Sequence, residues 1–173
     1  MRGEKWGKVG RKSAPPHKRY KALFRGVNRL SLDSKGRLAI PTRYRQPLQD
    51  EAGGQVILTV DRDRCLLLYP LPVWEEVERQ LIRLSSVNPR ARALKRLLIG
   101  HAEECGLDSG GRILLPAPLR EFAGLDKQVV LVGQGNKFEV WNEAAWLAWR
   151  DALLAGDGQD DGEPLPDLDS LAF

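Results

Sequence analysis

The stretch "LDSKGRLAIP", Leu32 to Pro41, recurs 75 residues later as "LDSGGRILLP", Leu107 to Pro116. At that offset Asp33 meets Asp108, Ser34 meets Ser109, Gly36 meets Gly111, Arg37 meets Arg112, Pro41 meets Pro116 and Arg45 meets Arg120. Apolar positions also correspond, Leu38 with Ile113 and Ile40 with Leu115. Farther on, "QVILTVDRDRCLLLYPLPVW" matches "QVVLVGQGNKFEVWNEAAW" with a slip of a residue or two. A tandem duplication restricts the fold to two copies of one small unit.

Each unit reads as β, turn, β, short helix, β, β. Asp33 to Gly36 and Asp108 to Gly111 consist of turn residues, and the glycine supplies the positive φ of a tight reversal. Arg37 and Arg112 are therefore expected just behind a hairpin tip. "RLAI" and "RILL" read as short strands ended by Pro41 and Pro116, and "TRYRQPL" and "APLREFAGL" as one or two helical turns, with Gly124 suited to the position just past the helix end. "QVILTV" and "CLLLYP", then "QVVLVG" and "KFEVW", read as strand pairs. Longer helices follow: Val73, Val77, Leu81 and Leu84 recur at helical spacing, Asn88-Pro89 opens a second helix, and Asn142 caps a third that stacks Trp146, Trp149 and Leu153 on one face.

Charge divides the chain unevenly. Residues 1–23 hold eight Lys/Arg against one Glu, residues 151–173 hold seven acids and no base, and residues 24–150 are mildly basic, with 19 bases against 15 acids. This balance is compatible with nucleic acid without establishing it. The division expected is a flexible basic extension at 1–23, a first module with its helical connection at 24–98, a second module at 99–155 and a flexible acidic tail at 156–173. The basic extension has a second reading, an early start assignment ahead of a folded part that begins near Phe24. With 42% apolar residues the chain can build a core, and without an apolar run long enough for a membrane span it reads as a soluble cytoplasmic protein.

Catalytic and metal chemistry find little support. His17 and His101 are the two histidines, and there is neither a G-x-S-x-G elbow nor a Walker loop. His101, Glu103, Glu104 and Cys105 do not share a helical face, so no metal site and no cofactor are expected. Cys65 and Cys105 read as reduced, buried thiols. Arg90, Arg92, Lys95 and Arg96 form a basic helix face, either solvated or touching nucleic acid.

"FRGVNRLSLDSKGRLAIPTRYRQPL", "CLLLYPLPVWEEVERQL", "LSSVNPRARALKRLLIGHAEECGLDSGGRILLPAPLR" and "LVGQGNKFEVWNEAAW" resemble the MraZ family, bacterial transcriptional regulators built from two AbrB-like modules. The resemblance covers residues 24 to about 150 and rests on the paired D-x-x-G-R-x-x-x-P signatures. It implies an α+β fold of tandem swapped-hairpin β modules with short helices and a pseudo-two-fold within the chain. It further implies a homo-oligomeric closed ring that binds double-stranded DNA, at short direct repeats in the promoter of the division and cell-wall gene cluster, and hence a place at the nucleoid.

Arg37 and Arg112 fit such a role, because a guanidinium on a rigid turn can fork onto guanine O6 and N7 or clamp a phosphate, and a two-stranded ribbon fits the major groove. Alternatively, they pair with Asp33 and Asp108 to stabilise their own turns, and both can hold together. Asp33, Gly36, Asp108 and Gly111 are the turn-forming residues. The first signature carries Lys35 where the second has Gly110, so the first repeat is expected to be the stronger reader. Arg43 and Arg45 on the following helix are candidates for phosphate contacts, Arg45 equally for a structural salt bridge. A scaffold protein of the same fold that binds no DNA is the alternative function, and an enzyme the remote one.

Overall fold

The computed structural model describes residues 22–156; the expected flexible extension and tail lie outside them, apart from Ala22, Leu23 and Gly156. The chain orders its elements as β1 (Phe24–Ser31), β2 (Arg37–Ala39), α1 (Thr42–Ala52), β3 (Gln55–Val60), β4 (Leu66–Pro70), α2 (Leu71–Arg83), α3 (Pro89–Leu98), β5 (Glu103–Gly106), β6 (Arg112–Leu114), α4 (Ala117–Phe122), β7 (Gln128–Gly135), β8 (Phe138–Asn142) and α5 (Glu143–Ala155). It is an α+β fold in which the duplication is directly visible: β5 to β8 repeat β1 to β4, and α4 and α5 repeat α1 and α2.

The two repeats do not form two sheets. Six strands make one antiparallel sheet in the order β1-β7-β8-β4-β3-β5, and β2 pairs with β6 in a separate two-stranded ribbon. Each repeat thus donates its first strand to the other: β1 pairs with β7 from Phe24↔Gly135 to Ser31↔Gln128, and β5 pairs with β3 from Gln55↔Gly106 to Leu58↔Glu103. A pseudo-two-fold axis runs between β4 and β8 and through the β2·β6 ribbon, perpendicular to the sheet. The expected hairpin is accordingly not one. The chain does reverse after β1, but β1 and β2 meet only at the Leu32–Leu38 bridge, and the partner of β2 comes from the other repeat.

Strand periodicity explains the layers, since alternate side chains leave opposite faces. On one face Val56, Leu58, Val60, Leu66, Leu68, Val129, Leu131, Phe138 and Val140 meet Leu38 and Ile113 of the ribbon, Tyr44 and Leu48 of α1, and Leu119 of α4. Leu38 and Ile113 are fully buried and directly opposed, so the ribbon's inner face closes this core at the axis. Phe24, Tyr44 and Phe138, drawn from both repeats, pack with ring centroids 4.3 to 6.0 Å apart. On the other face Ile57, Leu67 and Tyr69 receive Val73, Trp74 and Leu81 of α2, while Val130, Val132 and Trp141 receive Trp146 of α5. Thr59 Oγ1 donates to Leu98 O at 2.6 Å and ties the end of α3 to this face.

Asn88 and Asn142 cap their helices as the sequence predicts, accepting from Arg90 N and Ala91 N and from Ala145 N. Gly124 lies beyond α4 at φ 57°, the left-handed turn expected there. Other readings need correction. The first short helix runs eleven residues, through Pro47 to a left-handed cap at Gly53. Leu84 falls past the end of α2 and is exposed, because α2 stops at Arg83 and Leu84 is extended at ψ 138°. Trp146 and Trp149 do stack, at 5.1 Å, yet Leu153 points to solvent. Cys65 precedes its strand and is fully buried, whereas Cys105 on the edge strand β5 is half-buried; both are free, and burial raises the Cys105 thiol to about 11.

Phe138 is fully buried at the junction of the two repeats, so Phe138→Ala should cost about 3–5 kcal/mol. Urea unfolding should show this as a lower midpoint with an unchanged slope.

Candidate nucleic-acid interface

The two turns are built alike to within a few tenths of an ångström. Asp33 Oδ1 accepts from Lys35 N and Arg37 N, both at 2.9 Å, and Gly36 N donates to Asp33 O at 2.9 Å. Asp108 Oδ1 accepts from Gly110 N and Arg112 N at 2.9 Å, and Gly111 N donates to Asp108 O at 2.9 Å. An aspartate that satisfies two turn amides leaves one oxygen for a side chain. Asp33 Oδ2 takes Arg37 Nε at 2.7 Å, and Asp108 Oδ2 takes Arg112 Nε at 3.0 Å. The sequence alternative of pairing within each repeat is therefore realised, through Nε alone. Among the described residues the Nη groups of Arg112 have no partner, and Arg37 Nη1 has a 3.9 Å contact with Asp108 across the axis.

These hydrogen bonds hold the Asp33 carboxyl down to about 2, chiefly through the Arg37 amide, and lower Asp108 in the same way through the Arg112 amide. Both carboxylates remain charged well into acid.

Register places the arginines together. Arg37 is opposite Leu114 and Ala39 is opposite Arg112, so all four share the ribbon face turned away from the core. Ala39 and Leu114 are exposed, Leu114 at 55%, and Lys35 is exposed on the adjoining turn. The site is a small ribbon with two half-exposed guanidiniums and two exposed apolar side chains on one surface. Sequence reasoning did not include Ala39 and Leu114, although their place two residues from each arginine on a strand was the available signal.

Arg45 and Arg120 go elsewhere. Arg45 Nε donates to Ile40 O at 2.7 Å and Arg120 Nε to Leu115 O at 3.0 Å, and neither forms an ion pair among the described residues. Each guanidinium lies over the turn glycine of the other repeat. A Cβ on Gly36 would come within 2.6 Å of Arg120 Cζ, and one on Gly111 would collide with Arg45 Nε. Backbone bonds reinforce the crossing, from Ile40 N to Gly111 O at 2.9 Å and from Leu115 N to Gly36 O at 3.1 Å. Arg43 is directed to β1, where Nη2 donates to Asn28 Oδ1 at 2.6 Å and the guanidinium covers the Tyr44 ring at 4.7 Å. The structure therefore gathers Lys35, Arg37 and Arg112 on one surface, places Arg45 behind it as a brace, and separates Arg43 from it.

Comparison with known proteins decides the family. The MraZ protein family model matches residues 23–97 and again 98–155. The chain belongs to the MraZ family. Two relatives named "Transcriptional regulator MraZ", from Methylococcus capsulatus and Halorhodospira halophila, are 55% and 56% identical over 152 residues, 87% of this chain and all of each relative. One of the same name from Idiomarina loihiensis is 59% identical over 125 residues, 72% of this chain and 82% of its own length. As a MraZ chain the protein is a transcriptional regulator and not an enzyme. No helix among its described residues is long and apolar enough to cross a membrane.

Two outcomes test this geometry. Carboxyl NMR titration should give Asp33 near 2 and Asp108 below the ordinary aspartate range. Since an unfolded aspartate titrates near 3.9, the turns' contribution to stability should be complete above about pH 4 and fade as pH falls toward 2. Gly111→Ala forces a left-handed residue, at φ 71°, into the space of Arg45. It should lose about 1–2 kcal/mol or more in denaturant unfolding, with Gly53→Ala, where a Cβ has open space, losing less.

Proposed function

We propose that this protein is a sequence-specific DNA-binding regulator whose β2·β6 ribbon reads the major groove. The observation that carries the reading is the placement of Arg37 and Arg112 on one exposed face of a two-stranded antiparallel ribbon, each fixed through Nε, with the Nη groups of Arg112 unpartnered among the described residues and Arg37 Nη1 held only by a 3.9 Å contact with Asp108. A ribbon of this kind fits the major groove, and a guanidinium fork suits guanine O6 and N7. Leu114 and Ala39 supply apolar contacts suited to a thymine methyl. Lys35 adds a phosphate contact beside the first arginine only, which favours the first repeat as the stronger reader. Arg45 contributes by holding the second turn, and Arg43 is a phosphate contact only for a duplex that extends over β1.

A single ribbon meets few phosphates, so one subunit is expected to discriminate weakly. The reading therefore includes several subunits, with 24–98 and 99–155 as the two modules of each. The sheet ends in two unlike edges, β1 from one repeat and β5 from the other. Contacts between unlike surfaces are heterologous and close into a ring when the rotation permits. A ring presents each ribbon in the same rotational sense, so its DNA sites are direct repeats, spaced at about 10 to 10.5 bp if successive ribbons meet one face of the duplex. Linked subunits then gain about 10² to 10⁴ in avidity. The resemblance supplies the location of such repeats, the promoter of the division and cell-wall genes, and with it a cytoplasmic, nucleoid-associated protein.

Arg37→Ala should abolish specific binding while the fold persists, because a base-reading guanidinium is worth about 1–3 kcal/mol in every subunit of the assembly. Fluorescence anisotropy at fixed salt on the chain's own upstream promoter DNA measures it. Inserting about 5 bp between repeats should remove most of the affinity. Wild-type binding by Arg37→Ala, or by the half-turn spacing, contradicts the proposal.

A further inference from the structure

The helix layer carries a second cationic surface, on the opposite side of the six-stranded sheet from the ribbon. From Arg79 to Ala102 the chain holds six Lys/Arg and no acid. Three of these cations are consumed locally: Arg79 pairs with Glu76 at 2.9 Å on its own helix, Arg92 Nη1 donates to Ser86 O at 2.8 Å and Val87 O at 2.9 Å, and Lys95 Nζ donates to Leu84 O at 2.6 Å. The bonds of Arg92 and Lys95 draw α3 against the end of α2 and make one continuous patch of the α2–α3 connection. Arg83, Arg90 and Arg96 are exposed on it, and their side chains make no hydrogen bond or ion pair among the described residues. Between them stand Ile82 at 62%, Leu84 at 40% and Val87 at 84% exposure. A patch that is apolar and cationic together is a docking surface in search of an acidic, apolar occupant. A duplex lying on the ribbon does not reach it, since the sheet stands between.

The chain itself contains a segment of that chemistry. Residues 157–173, "DGQDDGEPLPDLDSLAF", hold six acids and no base, with Leu165, Leu168, Leu171 and Phe173 among them. They follow α5, which packs on the same face of the sheet as α2 and α3. Seventeen residues can extend about 55 Å, ample to cross a layer of this size. We propose that segment 157–173 docks on the α2–α3 connection, its carboxylates against Arg83, Arg90 and Arg96 and its leucines over Ile82, Leu84 and Val87. The consequence is a masked helix face, so that the ribbon is left as the surface with open cationic reach. Exposed ion pairs are individually weak and screened by salt, so the docked state is labile and strengthened by the apolar contacts.

Hydrogen–deuterium exchange on the full chain tests this without DNA, so the result does not depend on the DNA-binding proposal. The comparison chain carries Asp157→Asn, Asp160→Asn, Asp161→Asn, Glu163→Gln, Asp167→Asn and Asp169→Asn, all beyond the described residues 22–156. At low salt its residues 82–96 should exchange several-fold faster than in wild type, with β2 and β6 unchanged. Sodium chloride at about 0.5 M, where the Debye length falls to roughly 4 Å, should accelerate wild type and leave the neutralised chain nearly unaffected. Arg90→Glu with Arg96→Glu should also lose protection, and adding Asp160→Lys with Asp161→Lys should recover part of it. Equal exchange at 82–96 in wild type and the neutralised chain overturns the proposal, as does failure of the charge swap to recover protection. Non-specific duplex DNA that protects 82–96 equally in both chains would assign the patch to nucleic acid and overturn it too.

Discussion

Everything in this molecule depends on an exchange across the pseudo-two-fold axis. Each repeat pairs its first strand with the third strand of the other within one shared sheet, each turn glycine receives the other repeat's helix arginine, and the two ribbon strands have no full partner except each other. Arg45 and Arg120 carry the most constraint in this exchange. Each uses Nε on a carbonyl of its own repeat while its guanidinium lies over the glycine opposite, so Gly36 and Gly111 are required twice, by positive φ and by the lack of space for a Cβ. A turn braced from the other repeat cannot shift independently. The ribbon pair Arg37 and Arg112 is therefore rigid as a unit, which spares ordering entropy for any partner that meets it.

The electrostatics of the turn engage only part of each ribbon arginine, Arg37 and Arg112. A carboxylate that accepts two amides and one Nε donor is saturated as a turn element, and the strength of this arrangement is seen in the lowered Asp33 and Asp108 carboxyls. The Nη edge is not needed for the turn. The two sequence alternatives, pairing with the turn aspartate or facing DNA, thus concern different atoms of one guanidinium and do not compete.

Local features were legible in the sequence: the duplication, the Asp–Gly–Arg turns, the caps at Asn88 and Asn142, and the left-handed Gly124. Each depends on contacts within a few residues, which letters encode. Partner choice was not legible. The near-continuous apolar runs "QVILTV" and "QVVLVG" mark strands buried on both faces but suit any antiparallel neighbour, so nothing in the letters announces that β1 pairs with β7. The same limit applied to the arginines: Arg43 and Arg45 are two positions apart on one helix, and only the fold sends one to Asn28 and the other to Gly111. Leu114 escaped notice because an apolar strand residue reads as core until the face it occupies is known.

The central claim is that the exposed face of the β2·β6 ribbon meets DNA and the helix layer does not. Site-specific photo-cross-linking answers it most directly, with a benzophenone amino acid placed singly at Ala39, at Leu114, or at Ala93 on the exposed side of α3. All three positions are exposed and their side chains face away from the core. Irradiation with promoter DNA should yield protein–DNA adducts from Ala39 and Leu114 and essentially none from Ala93. Adducts from Ala93 with none from the ribbon positions would contradict the account.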